Sequence, residues 1–478
     1  MNSGQGVRRI LGIAALLLVV GLAARGSAGQ QGTAAEKQFQ AWLAAFNSGD
    51  RATLLQFYEK NFPERVKQID GAMEFREMTG GFELKKMEEA SATKVTALLK
   101  EKDSDQFARL TMEVQEAEPH QIIKNDLRAG PTPPEFKIAR TSESEVISGV
   151  KKLAEERAAT DKFYGAVAIS KNGKTVFEQA YGLADRDKKT PNTVQTQFRM
   201  GSMNKMFTAT AILQLAQAGK LKLTDPLGKY LTDYPNQDIA TKVTIHQLLT
   251  HTGGTGDFFG PEFDKHRLEL KTLQDYVKLY GTRAPEFEPG TKWEYSNYGF
   301  LLLGLIVQKA SGQDYYGYVR EHIFQPAGMT RSDSLPEEQA VPGRSVGYTK
   351  FDSGGNWKPN TDTLPYRGTS AGGGYTTVGD LLKFANALLN HKLLDAEHTD
   401  LLTTGHVDTP RREKYAYGFM DNREDGMRWF GHGGGAPGMN GDLRIYPESG
   451  YVIAVLSNLD PPAADRISSY ASNRLPAQ

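Results

Sequence analysis

The chain has no cysteine among its 478 residues. This absence excludes disulfide bonds, a thiolate nucleophile, cysteine-liganded zinc and a lipid anchor on a cysteine. A chain of this length can still bury at least one large hydrophobic core, so it does not need cross-links to be stable.

An excess of charge of either sign is also absent, because lysine plus arginine and aspartate plus glutamate each total 57. Nucleic acid and acidic membrane surfaces are therefore not expected partners. The sequence has no H-E-x-x-H motif, and His246 and His251 have no nearby acids. We predict no metal ion and no organic cofactor.

The apolar run from Ile10 to Ala24 has about 15 residues, fewer than the ~20 needed to span a bilayer. Arg8 and Arg9 precede the run, and small residues ending at Ala28 follow it. This pattern predicts a signal peptide over residues 1–28 and an exported protein, periplasmic or extracellular, with no transmembrane segment in the mature chain. An uncleaved N-terminal anchor and twin-arginine export are the alternatives.

Residues 30–128 are predicted to form a small α+β accessory domain. Phe39, Trp42 and Phe46 recur at helical spacing, and a later segment alternates apolar and polar residues around Lys102-Asp103-Ser104, which predicts a hairpin. The outline resembles NTF2-like modules, although no motif supports that family. A proline-rich linker is predicted over 129–137, before a main domain over 138–478.

The main domain is predicted to have strands at both ends and helices between them. Glu143 to Ala159 reads as a helix, and Asn172-Gly173 predicts a type I′ turn in a first hairpin. A second hairpin ends in the apolar strand Tyr451 to Leu456. Strands at the two ends suggest one sheet completed by both termini of the domain.

The first candidate nucleophile is Ser202, three residues before Lys205 at the start of a predicted helix. Residues at this spacing share a helix face, so the amine would lie beside the hydroxyl. A serine hydroxyl needs such a neighbouring base, and a helix N-terminus favours developing negative charge. The alternative is an N-cap serine with a solvent-facing lysine.

A rival nucleophile, Ser370, lies in the G-x-S-x-G match from Gly368 to Gly372. A nucleophile elbow needs a buried strand before it and a helix directly after it. Here the preceding segment is polar and contains Pro365, and further glycines follow. The context favours a glycine-rich turn.

A glycine cluster near the C-terminus, beginning at His432, allows three interpretations. An α/β-hydrolase oxyanion loop precedes the nucleophilic serine in the chain, whereas this cluster follows both Ser202 and Ser370. As a dinucleotide fingerprint it should lead into a helix, but a strand follows Asn440-Gly441. The remaining interpretation makes His432-x-Gly434 the wall of another kind of serine-hydrolase site.

Tyr295-Ser296-Asn297 directly precedes a strongly apolar helix. A capped helix start explains these residues without any function. In the functional interpretation, a lysine ammonium lowers the pKa of the Tyr295 phenol, so that a Tyr–Lys pair exchanges protons with the serine. Asn297 would offer a donor and an acceptor to substrate.

The ordered motifs of Ser202, Tyr295 and His432 together resemble those of the serine β-lactamase and penicillin-binding-protein superfamily. The class C-like branch is most similar, with family VIII-type esterases and D-aminopeptidase-like and DD-peptidase-like hydrolases. The stretches 248–254 and 370–388 support the resemblance, which covers about residues 145–460. It implies an α+β fold of the α/β sandwich type, with an antiparallel sheet flanked by helices plus a helical subdomain.

The resemblance also implies roles for individual residues. Ser202 would be acylated, and Lys205 and Tyr295 would share the general-base and general-acid work. Asn297 would contact a small ester, amide or peptide substrate. The implied substrate-binding strand is an edge strand carrying His432, Gly434 and Gly435, with the N–H groups of Ser202 and Gly435 forming the oxyanion hole.

His432 departs from the family pattern, because β-lactamases and DD-peptidases have a lysine at this place. A histidine is mostly neutral at pH 7 and provides no fixed cation for a substrate carboxylate. We therefore predict an esterase-like or amidase-like hydrolase. The alternatives are a β-lactamase or a DD-peptidase or D-aminopeptidase, and a non-catalytic envelope binding protein that keeps the fold.

Overall fold

The structure is a computed structural model that describes residues 32–351, 353–410 and 413–477. The predicted signal peptide, residues 1–28, lies outside the described residues. Within the described ranges, no helix is both long enough and apolar enough to cross a membrane.

The chain divides into two compact units. The smaller unit contains the described residues up to 73, together with Gly81–Leu99 and Ala108–Ala129. The larger unit contains Glu74–Gly80, Lys100–Phe107 and residues from 130 onward.

Helices and a four-stranded meander make up the N-terminal part of the chain. In chain order they are α1 (Ala34–Ser48), α2 (Arg51–Asn61), α3 (Ile69–Thr79), β1 (Phe82–Ala90), β2 (Lys94–Glu101), β3 (Phe107–Val114) and β4 (Ile122–Gly130). The strands follow one another across the sheet in the order β1-β2-β3-β4. The predicted first helix and the β2–β3 hairpin are confirmed, whereas sequence patterning missed α3, β1 and β4.

Helix α1 shows why its sequence folds as predicted. Thr33 and Glu36 form a capping box at its start, and Gly49 ends it in the left-handed conformation. Phe39, Trp42 and Phe46 are buried.

Strand β4 continues to Gly130, inside the stretch predicted as a linker over 129–137. A short 3₁₀ turn then covers Pro134–Phe136. The irregular connection therefore begins later than predicted, because the backbone of residues 129 and 130 still belongs to the sheet.

The remaining elements all lie in the larger unit. They are α4 (Glu143–Ala159), β5 (Gly165–Lys171), β6 (Lys174–Tyr181), β7 (Leu183–Asp185), β8 (Thr190–Pro191), β9 (Phe198–Arg199), α5 (Asn204–Gln217), α6 (Gln237–Lys242), α7 (Ile245–Leu249), α8 (Pro261–His266), α9 (Leu273–Tyr280), α10 (Asn297–Ser311), α11 (Tyr315–Val319), α12 (Gln325–Ala327), β10 (Tyr348–Thr349), β11 (Lys358–Pro359), β12 (Tyr375–Thr376), α13 (Val378–Leu389), α14 (Ala396–Thr403), β13 (Val407–Asp408), β14 (Lys414–Tyr415), β15 (Met420–Glu424), β16 (Met427–Ala436), β17 (Met439–Ile445), β18 (Tyr451–Ser457) and α15 (Ala463–Ser472).

One antiparallel sheet has the strand order β13-β14-β15-β16-β17-β18-β5-β6. The C-terminal strand β18 pairs with β5 from the start of the domain, with Ile453 opposite Ile169. The two ends of the domain therefore complete one sheet, as predicted. The predicted type I′ turn is present as well, since Asn172 and Gly173 both have positive φ, 50° and 76°.

Both faces of this sheet are covered by helices. Along β18, Ile453 and Val455 belong to a core shared with α4 and α15, whereas Ala454 and Leu456 belong to a core shared with α5 and α13. This alternation follows from the two-residue period of a strand. The α+β sandwich, with helices on both faces and a helical region between α5 and α13, is confirmed.

Candidate active site

Ser202 lies in a 3₁₀ turn, Gly201–Met203, directly before the long buried helix α5. Gly201 has φ +53°, which a residue with a side chain rarely adopts. The turn leaves Ser202 half-buried at the N-terminal end of the helix, where the sequence predicts it.

Lys205 lies one turn further along and is completely buried. Its Nζ is 3.3 Å from Ser202 Oγ, 2.7 Å from Asn297 Oδ1 and 2.5 Å from the Ala371 carbonyl oxygen. The last two partners only accept hydrogen bonds. A neutral amine donates its two N–H groups to them, and its lone pair then faces the serine hydroxyl.

The surroundings of Lys205 favour the neutral amine. Burial lowers its pKa to about 7, against an opposing influence of the Asp257 carboxylate. Near pH 7 a large fraction of the lysine is therefore unprotonated, as a general base requires.

The Ala371 carbonyl belongs to the glycine-rich segment around Ser370. Thr369 and Gly372 exchange backbone hydrogen bonds, so the segment is a tight turn and not a nucleophile elbow, as predicted. Asn204 Nδ2 donates to the Thr369 carbonyl at 2.6 Å and Thr208 Oγ1 donates to the Ser370 carbonyl at 2.7 Å. Helix α5 thus places this turn against its own lysine.

Asn297 begins helix α10 behind the lysine. Its Oδ1 accepts from Lys205, and its Nδ2 donates to Asp257 Oδ2 at 2.8 Å. The sequence predicted that the amide oxygen and the amide nitrogen of Asn297 both contact substrate. In this structure they connect Lys205 to Asp257 instead, which leaves one N–H of Nδ2 for any further contact.

Tyr295 completes the group around the nucleophile. Its hydroxyl forms a hydrogen bond with Ser202, and Lys205 Nζ is 4.8 Å from its ring centroid. The predicted fall in its phenol pKa is wrong. Burial raises the pKa of Tyr295, outweighing the hydrogen bond with Ser202, and the Asp257 carboxylate adds to the rise. Tyr295 is therefore a neutral hydroxyl that can donate a proton.

Strand β16 forms the wall of the site that lies against the turn carrying Ser202. Strand β15 pairs only with its first half, ending at Gly431, while β17 pairs with the strand up to Ala436. The predicted edge strand is thus an interior strand of the sheet that lacks β15 as a partner beyond Gly431. A Cβ on Gly434 would collide with the Met200 carbonyl, and a Cβ on Gly201 would lie 3.1 Å from Gly435 N. Glycine is therefore needed where this strand meets the serine turn.

Asn440 supports this wall from β17. The residue is buried, and its Nδ2 donates to the Gly434 carbonyl at 2.9 Å. Its Oδ1 accepts from the Ala464 N–H at the start of α15 at 2.7 Å. The peptide group between Gly434 and Gly435 is thereby fixed through its carbonyl.

His432 is buried and uses both ring nitrogens. Nδ1 lies 2.5 Å from the Gly433 carbonyl, so it must donate, and Nε2 then accepts from the Tyr415 hydroxyl at 3.1 Å. Burial and the nearby Lys205 lower the pKa of His432 to about 4. The residue is neutral at pH 7, as sequence reasoning expected, and for a stronger reason than its ordinary pKa.

The structure brings all seven predicted site residues to one place, and it adds Ala371, Asp257, Tyr415 and Asn440. Asp257 follows the stretch 248–254, and Ala371 lies within the G-x-S-x-G match and the stretch 370–388, although neither motif indicated a contact with the lysine. Tyr415 and Asn440 reach the site through strand pairing, for which the sequence carries no local motif.

Comparison with known proteins places this fold among the serine hydrolases. The profile of the Beta-lactamase family matches residues 150–478, so the chain belongs to that family. A putative penicillin-binding protein, PbpX of Bacillus subtilis (strain 168), is 32% identical over 298 residues, which are 62% of this chain and 70% of that protein.

Two solved structures extend the likeness to the fold. The penicillin binding protein from Bacillus halodurans has a TM-score of 0.61 and 33% identity, covering 66% of this chain and 99% of that one. A D-stereospecific amidohydrolase from Streptomyces sp. has a TM-score of 0.57 and 28% identity, covering 68% and 97%. The protein is a serine hydrolase of the β-lactamase and penicillin-binding-protein type.

Proposed function

We propose that the protein hydrolyses esters or amides through an acyl-enzyme on Ser202, with Lys205 as general base and Tyr295 as general acid. One observation carries the proposal. Two obligate acceptors occupy the N–H groups of a buried lysine whose pKa is about 7, and the remaining position of its Nζ faces Ser202 Oγ.

Acylation begins when the proton of Ser202 passes to Lys205 Nζ while Oγ forms a bond to the acyl carbon. The N–H groups of Ser202 and Gly435 stabilise the oxyanion of the tetrahedral intermediate. As this collapses, the bond to the leaving group breaks and the Tyr295 hydroxyl protonates that group. Lys205 returns its proton to the tyrosine oxygen.

Deacylation repeats the same chemistry with water. Water attacks the acyl carbon as one of its protons passes to Lys205 Nζ. The bond between that carbon and Ser202 Oγ then breaks, and the protonated lysine returns the proton to Oγ. A free acid is released, and every side chain regains its starting protonation state.

The charges around the site support neutral acyl donors over carboxylate-bearing β-lactams. His432 is neutral where other family branches place a lysine. A cavity of about 80 Å³ beside Tyr295 is lined by the carboxylates of Asp257, Glu286 and Glu294. A substrate carboxylate would face these acids without a cation from the third motif.

Amides of D-amino acids are the second candidate class, supported by the likeness to the D-stereospecific amidohydrolase. β-Lactams and D-alanyl cell-wall peptides come third, since they carry the carboxylate that the site lacks a cation to bind. A non-catalytic binding role is the least supported, because the serine, lysine and tyrosine are all present and in contact.

A panel of substrates tests the proposal: p-nitrophenyl esters, a D-amino acid amide, a D-alanyl peptide and a cephalosporin. We expect turnover of esters or amides to exceed that of the cephalosporin and to disappear in Ser202→Ala. A Ser202→Ala variant that matched wild type on every substrate would refute the acyl-enzyme.

We also propose that the enzyme acts outside the cytoplasm and that residues 30–128 serve as an accessory module. The charged and apolar pattern of residues 1–28 supports export. Detection of the mature protein in periplasmic or culture fractions, with its N-terminus after Ala28, tests the first point. Comparing activity with and without residues 30–128 tests the second.

A further inference from the structure

His251 lies directly beneath Tyr295 and contacts the backbone on both sides of it. The Glu294 N–H donates to the His251 carbonyl at 3.0 Å, and the Ser296 N–H donates to His251 Nδ1 at 3.1 Å. The imidazole ring packs against the Tyr295 ring with centroids 4.3 Å apart. One residue therefore fixes the backbone before and after Tyr295 and the face of its ring.

Two features of His251 are unfavourable for a purely structural residue. Its φ of +60° lies in the left-handed region, which residues with side chains seldom adopt. Its Nε2 must carry the proton, because Nδ1 accepts, yet this buried atom has no hydrogen-bond partner within the described part of the chain. Together with the hydrogen bond that Nδ1 accepts from Ser296, these features indicate a role that an apolar ring would not fill.

We propose that His251 is a positioning residue that holds the Tyr295 hydroxyl where it can protonate the leaving group. His251 Nδ1 holds the backbone of Ser296, the His251 carbonyl holds the backbone of Glu294, and the imidazole ring packs against the phenol of Tyr295. The inference rests on the proposed role of Tyr295, and it makes no claim that His251 touches substrate.

Leaving-group dependence distinguishes positioning from general structural damage. A p-nitrophenolate departs as a stable anion, whereas a methoxide or an amine must be protonated as it leaves. The two substrates carry the same acyl group and differ only in the leaving group, so kcat/KM reports acylation for each of them. A misplaced Tyr295 slows only the methyl ester or amide, while a distorted site slows both.

His251→Phe keeps an aromatic ring and removes the acceptor. We expect its kcat/KM on the methyl ester or amide to fall about 100-fold and that on the p-nitrophenyl ester to change less than about threefold. His251→Asn tolerates positive φ and places an amide oxygen near the position of Nδ1, so it should recover to within about tenfold of wild type. His251→Gly, which is unstrained at this φ, is the second variant if the phenylalanine variant does not fold; it should show the same selective loss.

His391 provides the matched control, because it is an exposed histidine with φ +54° whose Nδ1 lies 3.2 Å from Thr399 Oγ1. His391→Phe should leave both substrates unchanged. Equal losses on both substrates in His251→Phe and His251→Gly, or no loss, would overturn the positioning role.

Tyr295→Phe separates the two proposals. If it lacks the selective loss, the role of Tyr295 itself is wrong; if it shows the loss and the His251 variants do not, only the present inference fails.

Discussion

The Nζ atom of Lys205 lies 3.3 Å from Ser202 Oγ, and its other two hydrogen-bonding positions are taken by oxygens that only accept. This relationship fixes the direction of proton transfer in the proposed mechanism. A neutral lysine has one free lone pair, and the serine hydroxyl is the group that faces it.

The pH dependence of acylation follows from this relationship. Because burial lowers the pKa of Lys205 to about 7, kcat/KM for a neutral ester should rise with pH and level off above that value. Since the pKa of Tyr295 is raised, no descending limb should appear below pH about 10, the ordinary value for a phenol. A profile that is flat from roughly pH 5 to 9, the range over which this lysine ionises, would contradict a neutral lysine as the base.

Replacing Asp257 should move this profile in a defined direction. The carboxylate stabilises protonated Lys205, so Asp257→Asn should lower the pKa of the lysine further and shift the ascending limb to lower pH. Glu294→Gln is the control, because this exposed acid lines the same cavity but pairs with Lys292 at 2.5 Å. A shift to higher pH in Asp257→Asn, or an equal shift in both variants, would count against the assignment.

His432→Lys tests whether the neutral histidine determines substrate choice. A lysine there would provide a cation for a substrate carboxylate, so the ratio of cephalosporin to ester kcat/KM should rise, by about tenfold if one new ion pair forms near the cleft. His391→Lys adds the same charge at an exposed position and should not change the ratio. An unchanged ratio in His432→Lys would show that our specificity argument is wrong.

Much of the site could be predicted because its signals are local or ordered along the chain. Ser202 and Lys205 lie three residues apart on one helix, and helix geometry alone places them together. The rejection of Ser370 as a nucleophile also needed only the sequence on either side of it. The hairpins at the two ends of the domain indicated a single sheet before any pairing was known.

The remaining features depend on the packed fold. The Ala371 carbonyl contacts Lys205 directly, whereas Asp257 acts on it through Asn297 and through its charge. The spacing of these residues in sequence did not indicate either interaction. The direction of the Tyr295 pKa was predicted wrongly because the nearby lysine was assumed to be charged and the depth of burial could not be read from the motif. Burial favours the neutral form of both groups, so the structure offers a phenol and an amine where the sequence predicted a phenolate and an ammonium.

Asn440→Asp tests the wall of the proposed oxyanion hole. The variant loses the N–H donated to the Gly434 carbonyl, so the Gly435 N–H is held and polarised less well. We expect kcat to fall about tenfold with KM little changed, less than the 10²–10³ loss for a direct donor. Asn192→Asp is the control, since Asn192 is also buried and donates to the Tyr181 carbonyl at 3.0 Å, on the far edge strand β6. Equal stability losses with unchanged kcat in both variants would assign Asn440 a structural role only.

The central claim is a covalent acyl group on Ser202. Wild-type protein is mixed with excess p-nitrophenyl ester, quenched in acid during turnover, and examined by intact-mass and peptide mass spectrometry. The proposed mechanism predicts a single added acyl group on the peptide containing Ser202, and none in Ser202→Ala. Turnover without any adduct on Ser202, or an adduct of equal yield in Ser202→Ala, would contradict it.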